Sequence, residues 1–231
     1  GGTPAIDSIT NQLSKVIPIN CRVYKGAKMN LNEQWMQRIK NSGADLVHFI
    51  DLASLSVEMT GGYPCAILFG KALSREYVQN MRAGQEPRTK EVFNTERKMD
   101  ELAVKVAGWL EAEGHPSVGK LKTGQLPHKT VALRAGLGFI GKNNLLVTDR
   151  YGCALIVGKV LTMAPFDCAA QEPPEPQCGN CRICVEVCPT GALLGTPWHM
   201  AVTREEIMVR KQCTLCLKCM VCCPHTVKVT K

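Results

Sequence analysis

Apolar positions along the chain alternate between helical spacing and strand-like runs. Helical spacing covers residues 5–17, 30–43, 89–113 and 128–135. Short apolar runs typical of strands lie at residues 46–50, 66–69, 145–148 and 153–161. Because helices alternate with strands over roughly the first 165 residues, the pattern predicts an α/β (mixed α+β) layer structure.

A change in composition marks a second domain. Residues 171–177 carry three prolines and two glutamates, which is typical of a linker or a domain boundary. Beyond them the chain is rich in cysteine. We therefore expect an α/β cofactor-binding domain over residues 1–167 and a smaller domain over residues 168–231. A capping box formed by Thr203 and Glu206 predicts a short helix inside the second domain.

Length, composition and charge exclude several classes of protein. The chain has 231 residues, of which 45% are hydrophobic, so a disordered protein is excluded. No apolar run approaches the ~20 residues of a membrane-spanning helix, and no export signal is visible. We therefore expect a cytoplasmic protein with no membrane partner. The net charge is +8, and residues 114–148 form a basic stretch without acidic residues, which is either a solvated face or an anion-binding surface.

The cysteines carry the strongest chemical signal. Nine of the thirteen lie between Cys178 and Cys223, and two runs share the spacing Cys-x2-Cys-x2-Cys-x3-Cys-Pro. This is the bacterial ferredoxin pattern, in which the fourth cysteine of each run ligates the other cluster. The spacing therefore predicts a ferredoxin-like domain with two [4Fe–4S] clusters. One cluster would be held by Cys178, Cys181, Cys184 and Cys223, and the second by Cys188, Cys213, Cys216 and Cys219.

Zinc is the competing metal, but all-cysteine zinc sites typically use paired cysteines and not triplets followed by Cys-Pro. Cys222 is a spare thiol, either a buried bystander or a replacement ligand. The four early cysteines should be dispensable for iron binding; they are Cys21, Cys65, Cys153 and Cys168.

A glycine-rich segment is the candidate cofactor-binding loop. Its glycines match dinucleotide and P-loop fingerprints only in part, because a helical run leads in and a strand follows, and Asn143 replaces the P-loop Ser or Thr. Glycines would let the backbone approach a bulky ligand closely, while a plain helix cap is the alternative. The candidate residues are Gly136, Leu137, Gly138, Phe139, Gly141, Lys142 and Asn143.

The segment RAGLGFIGKNNLLVT at residues 134–148 resembles the signature of the epoxyqueuosine reductase family, relatives of the corrinoid reductive dehalogenases. Residues 158–162 and 178–192 resemble the family's following blocks, and the resemblance covers residues ~115 to 224. It implies a base-off cobalamin in the α/β domain, with flavin as the alternative, and two clusters that pass electrons to cobalt. It also implies that the 136–143 loop lies against the corrin.

The sequence departs from that family in two places. Lys122 begins a Lys-Thr-Gly-Gln block where the family carries an aspartate proton donor, and no C-terminal helical-repeat region, which helps the family hold tRNA, follows the last cysteine run. We therefore expect a short form of the family for which tRNA is not a partner. Lys122 and His128 are the predicted catalytic residues. His128 would be a general acid titrating near pH 6.5, and Lys122 either a proton donor of lowered pKa or a partner of an anionic group.

The leading interpretation is an oxidoreductase. An external low-potential donor of the ferredoxin or flavodoxin type would supply electrons through two [4Fe–4S] clusters to a corrinoid or to a small-molecule or protein-bound substrate. The alternative is an electron-transfer protein that reduces a partner's cofactor and has no substrate of its own. A nucleic-acid-binding module with structural clusters is a third hypothesis, but only 5% of the residues are aromatic and could stack on bases.

Overall fold

The computed structural model describes residues 29–85, 90–119 and 126–231. Its helices are α1 (Leu31–Asn41), α2 (Val57–Thr60), α3 (Arg75–Arg82), α4 (Lys90–Ala112), α5 (His128–Arg134), α6 (Ile183–Glu186), α7 (Arg204–Ile207), α8 (Lys218–Val221) and α9 (Pro224–Val229). Its strands are β1 (Leu46–Asp51), β2 (Cys65–Ala72), β3 (Ser117–Val118), β4 (Phe139–Ile140), β5 (Leu146–Val147) and β6 (Leu155–Thr162). The long elements precede residue 163, and the described helices after it are short.

Four strands form an antiparallel sheet in the order β1-β2-β6-β3. Across its middle, His48 is in register with Leu68, which is in register with Lys159. β4 and β5 form a separate ribbon in which Phe139 pairs with Val147. The expected α/β layer structure is confirmed as a mixed α/β fold.

Helices cover both faces of the sheet. One face is packed by α1 and α4, whose apolar stripes contribute Trp35, Ile39, Leu102, Val106 and Leu110. The other face is packed by α5, through Val131 and Ala132. The central strand β2 is buried on both sides, which explains why it is a continuous apolar run and not an alternating one. Burial of each such large side chain stabilises the fold by about 1.5–3 kcal/mol.

A third apolar cluster joins the sheet region to the cysteine-rich segment. It combines side chains of α3, the β4–β5 ribbon and α8, among them Val78, Phe139 and Val221. Polar contacts tie the same elements together, because Arg82 on α3 donates from Nε to the Val221 carbonyl at 2.8 Å and from Nη2 to Thr230 Oγ1 at 2.8 Å. Residues 31–231 accordingly form one compact unit. The functional division at residue 168 stays a prediction.

Most of the predicted elements inside the described ranges are confirmed. The helix expected at 30–43 is α1, that at 89–113 is α4, and that at 128–135 is α5. The capping box is present, since the Thr203 backbone N–H donates to Glu206 Oε2 at 2.8 Å. The helix expected at residues 5–17 lies outside the described residues. The short helices α2 and α3 were not anticipated.

A disulfide between Cys65 and Cys168 is a feature that the sequence analysis missed. It joins the start of β2 to the segment after β6, 103 residues further along the chain. The cysteine density pointed to metal ligands, and these two cysteines lie outside that dense region. Among the described residues, none of the helices combines the length and apolar character needed to cross a membrane.

Close packing of α4 against β6 depends on Gly158. A Cβ at this position would lie 2.6 Å from Phe69 Cε2 and 3.1 Å from the Met99 carbonyl oxygen, and Phe69 is fully buried. We expect Gly158→Ala to destabilise the protein by about 1–3 kcal/mol through overpacking, which lowers the melting temperature by about 2–4 °C per kcal/mol. Thermal unfolding followed by circular dichroism measures the change.

Gly108 provides the matched control, because it lies on the exposed side of α4 with nothing within 4 Å of an added Cβ. Alanine there should stabilise the helix by up to about 1 kcal/mol. Equal melting temperatures for the two variants would contradict the packing described for Gly158.

Candidate metal centre

Eight cysteines line two separate cavities. A cavity of about 120 Å³, cavity I, is lined by Cys178, Cys181, Cys184 and Cys223. A cavity of about 220 Å³, cavity II, is lined by Cys188, Cys213, Cys216 and Cys219. Each cavity therefore takes three cysteines from one run and the last cysteine of the other run. This is the grouping that the ferredoxin spacing predicts.

Short helices and unusual backbone conformations place the thiols. Cys184 lies on α6, Cys219 lies on α8, and Cys223 precedes Pro224, the first residue of α9. On either side of Cys216, Leu215 and Leu217 adopt the left-handed conformation with φ of 53° and 59°. Non-glycine residues held in this conformation cost on the order of 1–3 kcal/mol each, and such strain concentrates at functional sites.

One thiol in each cavity resists ionisation because of burial and of the neighbouring thiolates. Burial, together with the neighbouring thiolates of Cys178, Cys223 and Cys181, raises the pKa of Cys184 to about 11. Burial and the thiolates of both runs raise the pKa of Cys219 to about 12. Since Cys184 is among the groups that act on Cys219, the two cavities are within electrostatic reach of each other. A positively charged metal group in each cavity would offset this repulsion.

A single tetrahedral zinc ion would need its cysteine sulfur atoms about 2.3 Å from one point. Within the described ranges, no group of three or more His, Cys, Asp or Glu side chains is arranged to hold a single ion. What the cysteines surround is a pair of cavities.

The glycines of the candidate loop allow close contacts within the chain. A Cβ on Gly138 would lie 2.0 Å from the Val147 carbonyl oxygen, so the β4–β5 ribbon can close only around glycine. A Cβ on Gly141 would lie 2.8 Å from Asn143 Oδ1. Gly136 has φ of 61°, where glycine is favoured, and faces the Gln171 side chain.

The polar side chains of this loop point towards the two cysteine cavities. Lys142 is only 7% exposed, and its Nζ donates to the carbonyl oxygens of Gly179 at 2.6 Å and Cys181 at 3.2 Å. Asn143 is 5% exposed, lines both cavities, and donates from Nδ2 to the Cys219 carbonyl at 3.1 Å. The loop therefore lies between the cavities and contacts the cysteine loops on both sides.

The two apolar residues of the candidate loop also have partners within the chain. Phe139 is buried, and its ring meets the His225 ring edge-on with centroids 5.5 Å apart. Leu137 is half-buried against the apolar cluster beneath α5. Contact of this loop with a corrin stays a prediction.

The basic stretch at residues 114–148 is not a simple solvated face in its described part. Lys129 donates from Nζ to the backbone oxygen of Asn144 and, at 2.8 Å, to Asn144 Oδ1, and it lines cavity II. Arg134 donates from Nε to the Asp51 carbonyl at 3.0 Å. Burial and the nearby Arg204 lower the pKa of Lys129 to about 8. Three of the five basic residues, Lys129, Arg134 and Lys142, thus bind backbone oxygens.

Of the two predicted catalytic residues, Lys122 lies outside the described residues. His128 is the first residue of α5 and retains solvent exposure. Desolvation by the surrounding protein, with a smaller effect from the Lys159 ammonium, lowers the pKa of His128 to about 4. His128 is therefore uncharged at neutral pH. Its pKa of about 4 is lower than the value near 6.5 that we expected for a general acid.

Lys159 is a residue that the sequence analysis missed. It lies within β6, is 7% exposed, and burial lowers its pKa to about 8 against the opposing effect of Asp100. No residue of the described ranges forms a hydrogen bond or ion pair with its ammonium. A lysine in the otherwise apolar run Leu155–Thr162 was the available signal, because buried charges are costly and are usually paired.

Two further cysteines lie close to the candidate ligands. The Cys153 thiol donates to Cys223 and lowers the pKa of Cys223 to about 6, and Asn143 Nδ2 lies 3.4 Å from Cys153 Sγ. Cys222 is half-buried against the apolar cluster that joins α3 to α8. Neither Cys153 nor Cys222 lines cavity I or cavity II.

Comparison with curated proteins confirms the resemblance to epoxyqueuosine reductases. The Listeria monocytogenes enzyme is 47% identical over 73 residues, which cover 32% of this chain and 19% of the relative. The Lactococcus garvieae enzyme is 42% identical over 102 residues, which cover 43% of this chain and 27% of the relative. The chain thus matches about a quarter of the length of these relatives. No protein-family model matches it.

Solved structures extend the likeness in fold. The Bacillus subtilis epoxyqueuosine reductase, with its catalytic loop swung out of the active site, matches with a TM-score of 0.60 at 19% identity, over 85% of this chain and 65% of that chain. The Streptococcus thermophilus enzyme matches with a TM-score of 0.59 at 21% identity, over 86% and 67%. A reductive dehalogenase described in terms of B12-dependent dehalogenation matches with a TM-score of 0.53 at 18% identity, over 73% and 27%.

The expectation that tRNA is not a partner is wrong. An epoxyqueuosine reductase of the same fold, with a TM-score of 0.60 at 19% identity, is solved with an epoxyqueuosine-modified tRNA-Tyr stem loop. The match covers 85% of this chain and 65% of that chain. These comparisons do not support the expected electron donor of the ferredoxin or flavodoxin type. They also do not support the expected small-molecule or protein-bound substrate. In sequence and in fold, the chain is similar to epoxyqueuosine reductases.

Proposed function

We propose that this protein is an iron–sulfur oxidoreductase of the epoxyqueuosine reductase type. It would carry electrons through two [4Fe–4S] clusters to a substrate bound on the α/β part of the fold, with the functional division at residue 168. The observation that supports this best is the grouping of eight cysteines around two adjacent cavities, three from one run and one from the other in each.

The residues around each cavity fit a cubane cluster. Four thiols supply the complete ligand set of a [4Fe–4S] cluster, and a metal group would favour the ionised form of Cys184 and Cys219, whose pKa values burial and neighbouring thiolates raise. When bound there, such clusters supply one-electron transfer. The chain's own contribution is to bury Cys184 and Cys223 and to half-bury the other six cysteines, to separate the two sets with Asn143, and to hold the first cysteine loop with Lys142.

The substrate class follows from the relatives. They are named for the reduction of epoxyqueuosine, and one is solved with a tRNA stem loop that carries this nucleoside. Reduction of an epoxide consumes two electrons and two protons, whether the oxygen leaves as water or remains as a hydroxyl group. A protein that does this needs a one-electron relay used twice and a proton donor close to the epoxide oxygen.

Among the described side chains, those of Lys159 and His128 are best suited to deliver the proton to the epoxide oxygen. The Lys159 side chain is 7% exposed and its ammonium forms no hydrogen bond or ion pair within the described ranges, and its pKa of about 8 makes it both charged and acidic enough at neutral pH. His128 is uncharged at that pH and close enough to Lys159 for the two to interact. Lys159 would donate the proton, and His128 would orient the oxygen that receives it. Lys122 stays a candidate for the same role.

A corrinoid stays a prediction. Among the solved neighbours, B12 appears in the description of a reductive dehalogenase. The glycine loop that we expected to lie against the corrin has its polar side chains on the cysteine loops instead, so these residues fit support of the clusters better than contact with a corrin.

Cysteine variants test the crossed grouping of ligands. Cys178→Ala and Cys223→Ala come from different runs, yet each should remove the same cluster and leave about four of about eight iron atoms per chain. Cys188→Ala and Cys213→Ala should remove the other cluster. Iron and sulfide analysis with EPR spectroscopy of the reduced, anaerobically purified protein measures which cluster is lost.

Cys153→Ser and Cys222→Ser are the matched controls, because these thiols lie near the ligands but line neither cavity. Both should keep full iron content. If Cys178→Ala and Cys223→Ala left different clusters behind, each run would hold its own cluster and the crossed assignment would fail.

Activity is tested with a tRNA stem loop that carries epoxyqueuosine and with dithionite as the reductant. The wild type should consume the epoxide, and Lys159→Met should lower the rate by about 100-fold or more, as loss of a general acid does. The converted nucleoside is measured by mass spectrometry after digestion. A wild type that holds full iron but leaves the epoxide intact would favour the electron carrier without its own substrate.

Burial of the Lys159 side chain should also lower the free energy of unfolding of the protein. Its pKa is about 8 in the folded protein and 10.5 when unperturbed, so the cost of burying the ammonium is fully present below pH 8 and disappears as pH rises from 8 to 10.5. Lys159→Met should therefore raise the melting temperature at pH 7, by an amount equivalent to about 1–3 kcal/mol once solvent screening is allowed for. The gain should shrink between pH 8 and 10. The groups that bear on this ammonium are His128 from α5 and Asp100 from α4.

Lys71→Met is the control for the stability experiment. Lys71 lies on the neighbouring strand and pairs with Asp45 at 2.8 Å, and it is partly exposed. Its removal should leave the melting temperature unchanged or slightly lower. A Lys159→Met protein that melts below the wild type at pH 7 would show that the ammonium is satisfied in the fold.

A further inference from the structure

Each cysteine cavity is lined by one lysine. Lys142 lines cavity I and Lys129 lines cavity II, and neither lysine lines the other's cavity. Lys129 lies on α5 and Lys142 lies in the loop between β4 and β5, so both are outside the cysteine-rich segment. The α/β part of the fold thus places one cation beside each group of four cysteines.

Neither cation is neutralised by a carboxylate in the described part of the chain. The ion pairs there are Arg38–Glu113, Lys71–Asp45 and Arg97–Glu101. Lys142 binds only carbonyl oxygens of the first cysteine loop, at Gly179 and Cys181. Lys129 binds the backbone and side-chain oxygens of Asn144. No carboxylate of the described residues therefore offsets the charge of either ammonium beside its cavity.

The effect of such a charge on a redox group has a definite sign. Reduction of a cluster adds one negative charge, so a nearby cation stabilises the reduced form more than the oxidised form. The interaction falls with distance and is stronger inside the protein than in water, because the effective dielectric constant is lower there. Each lysine should therefore raise the reduction potential of the cluster in its own cavity much more than that of the other cluster.

We propose that Lys142 and Lys129 are a matched pair of residues that set the reduction potentials of the two clusters, Lys142 for cavity I and Lys129 for cavity II. The proposal rests on the proposed function in one respect, that both cavities hold clusters. Each lysine would raise the potential of the cluster in its own cavity. The lysines act through the clusters and are positioning residues.

The experiment is a redox titration of the anaerobically purified protein at pH 7, followed by EPR. Lys142→Gln should lower the midpoint potential of one cluster by about 59 mV. For a one-electron couple this is about a tenfold change in the ratio of reduced to oxidised cluster at a fixed potential. Lys129→Gln should lower the potential of the other cluster by a similar amount. Cys178→Ala and Cys213→Ala, which each retain one cluster, identify which signal belongs to which cavity.

Two variants of Lys142 separate the effect of its positive charge from the effect of its hydrogen bonds to the cysteine loop. Lys142→Arg keeps the positive charge and should leave both potentials near those of the wild type, while Lys142→Met keeps the length without the charge and should behave as Lys142→Gln does. Lys105→Gln removes a cation from the exposed side of α4 and should move neither potential.

Iron analysis distinguishes failure of this inference from failure of the proposed function. If the unaltered protein lacks about eight iron atoms per chain, the proposed function itself fails. If iron is complete in all variants and the two lysine substitutions move the same cluster, or neither, the pairing of lysines with cavities is overturned. Loss of a cluster in both Lys142→Gln and Lys142→Met would also overturn it, because Lys142 would then be needed for assembly.

Discussion

Repulsion among closely spaced thiolates is the constraint on which the C-terminal part of this structure depends. In each cavity the pKa of one thiol, Cys184 or Cys219, is raised by burial and by the neighbouring thiolates. Nearby positive charge is needed to stabilise such a group in its ionised form. A metal cluster would supply most of it, and the surrounding chain supplies the rest through buried lysines and backbone N–H groups.

This constraint explains why the sheet region and the cysteine region share one core. The β4–β5 ribbon closes around Gly138, and its loop extends Lys142 and Asn143 to the cysteine loops. A second contact is made at Gly152, where a Cβ would lie 2.4 Å from Thr226 Cα, and Thr226 Oγ1 accepts from the Cys153 backbone N–H at 2.9 Å. The environment of the cysteines is thus built by both parts of the chain, and an isolated cysteine-rich segment would lose it.

Local patterns made much of the fold predictable, and long-range pairings were not. The helical stripe of α4 and the apolar run of β2 are visible in the sequence because burial of one or both faces dictates them. The grouping of Cys223 with Cys178 could be foreseen only because the ferredoxin spacing encodes it. By contrast, the hydrogen bond from Lys142 to the Gly179 carbonyl joins residues 37 positions apart, and the Cys65–Cys168 disulfide joins residues 103 positions apart. No local pattern specifies either contact.

The site away from the cysteines was predicted least well. His128 was identified from its place before the glycine loop, but its lowered pKa depends mainly on desolvation by the surrounding protein and less on Lys159, a neighbour brought close by the packing of α5 on β6. The exclusion of tRNA failed because it was drawn from a segment not seen in the sequence, whereas an epoxyqueuosine reductase of the same fold is solved with a tRNA stem loop. Composition, with a net charge of +8 and few aromatic residues, could not decide that question.

The most direct test of the central claim is a crystal structure of the anaerobically purified protein with diffraction data collected on both sides of the iron absorption edge. The account predicts two anomalous peaks of four-iron size, one within bonding distance of Cys178, Cys181, Cys184 and Cys223 and the other within bonding distance of Cys188, Cys213, Cys216 and Cys219. Peaks that appear at the zinc edge instead, or clusters each ligated by the four cysteines of a single run, would contradict it.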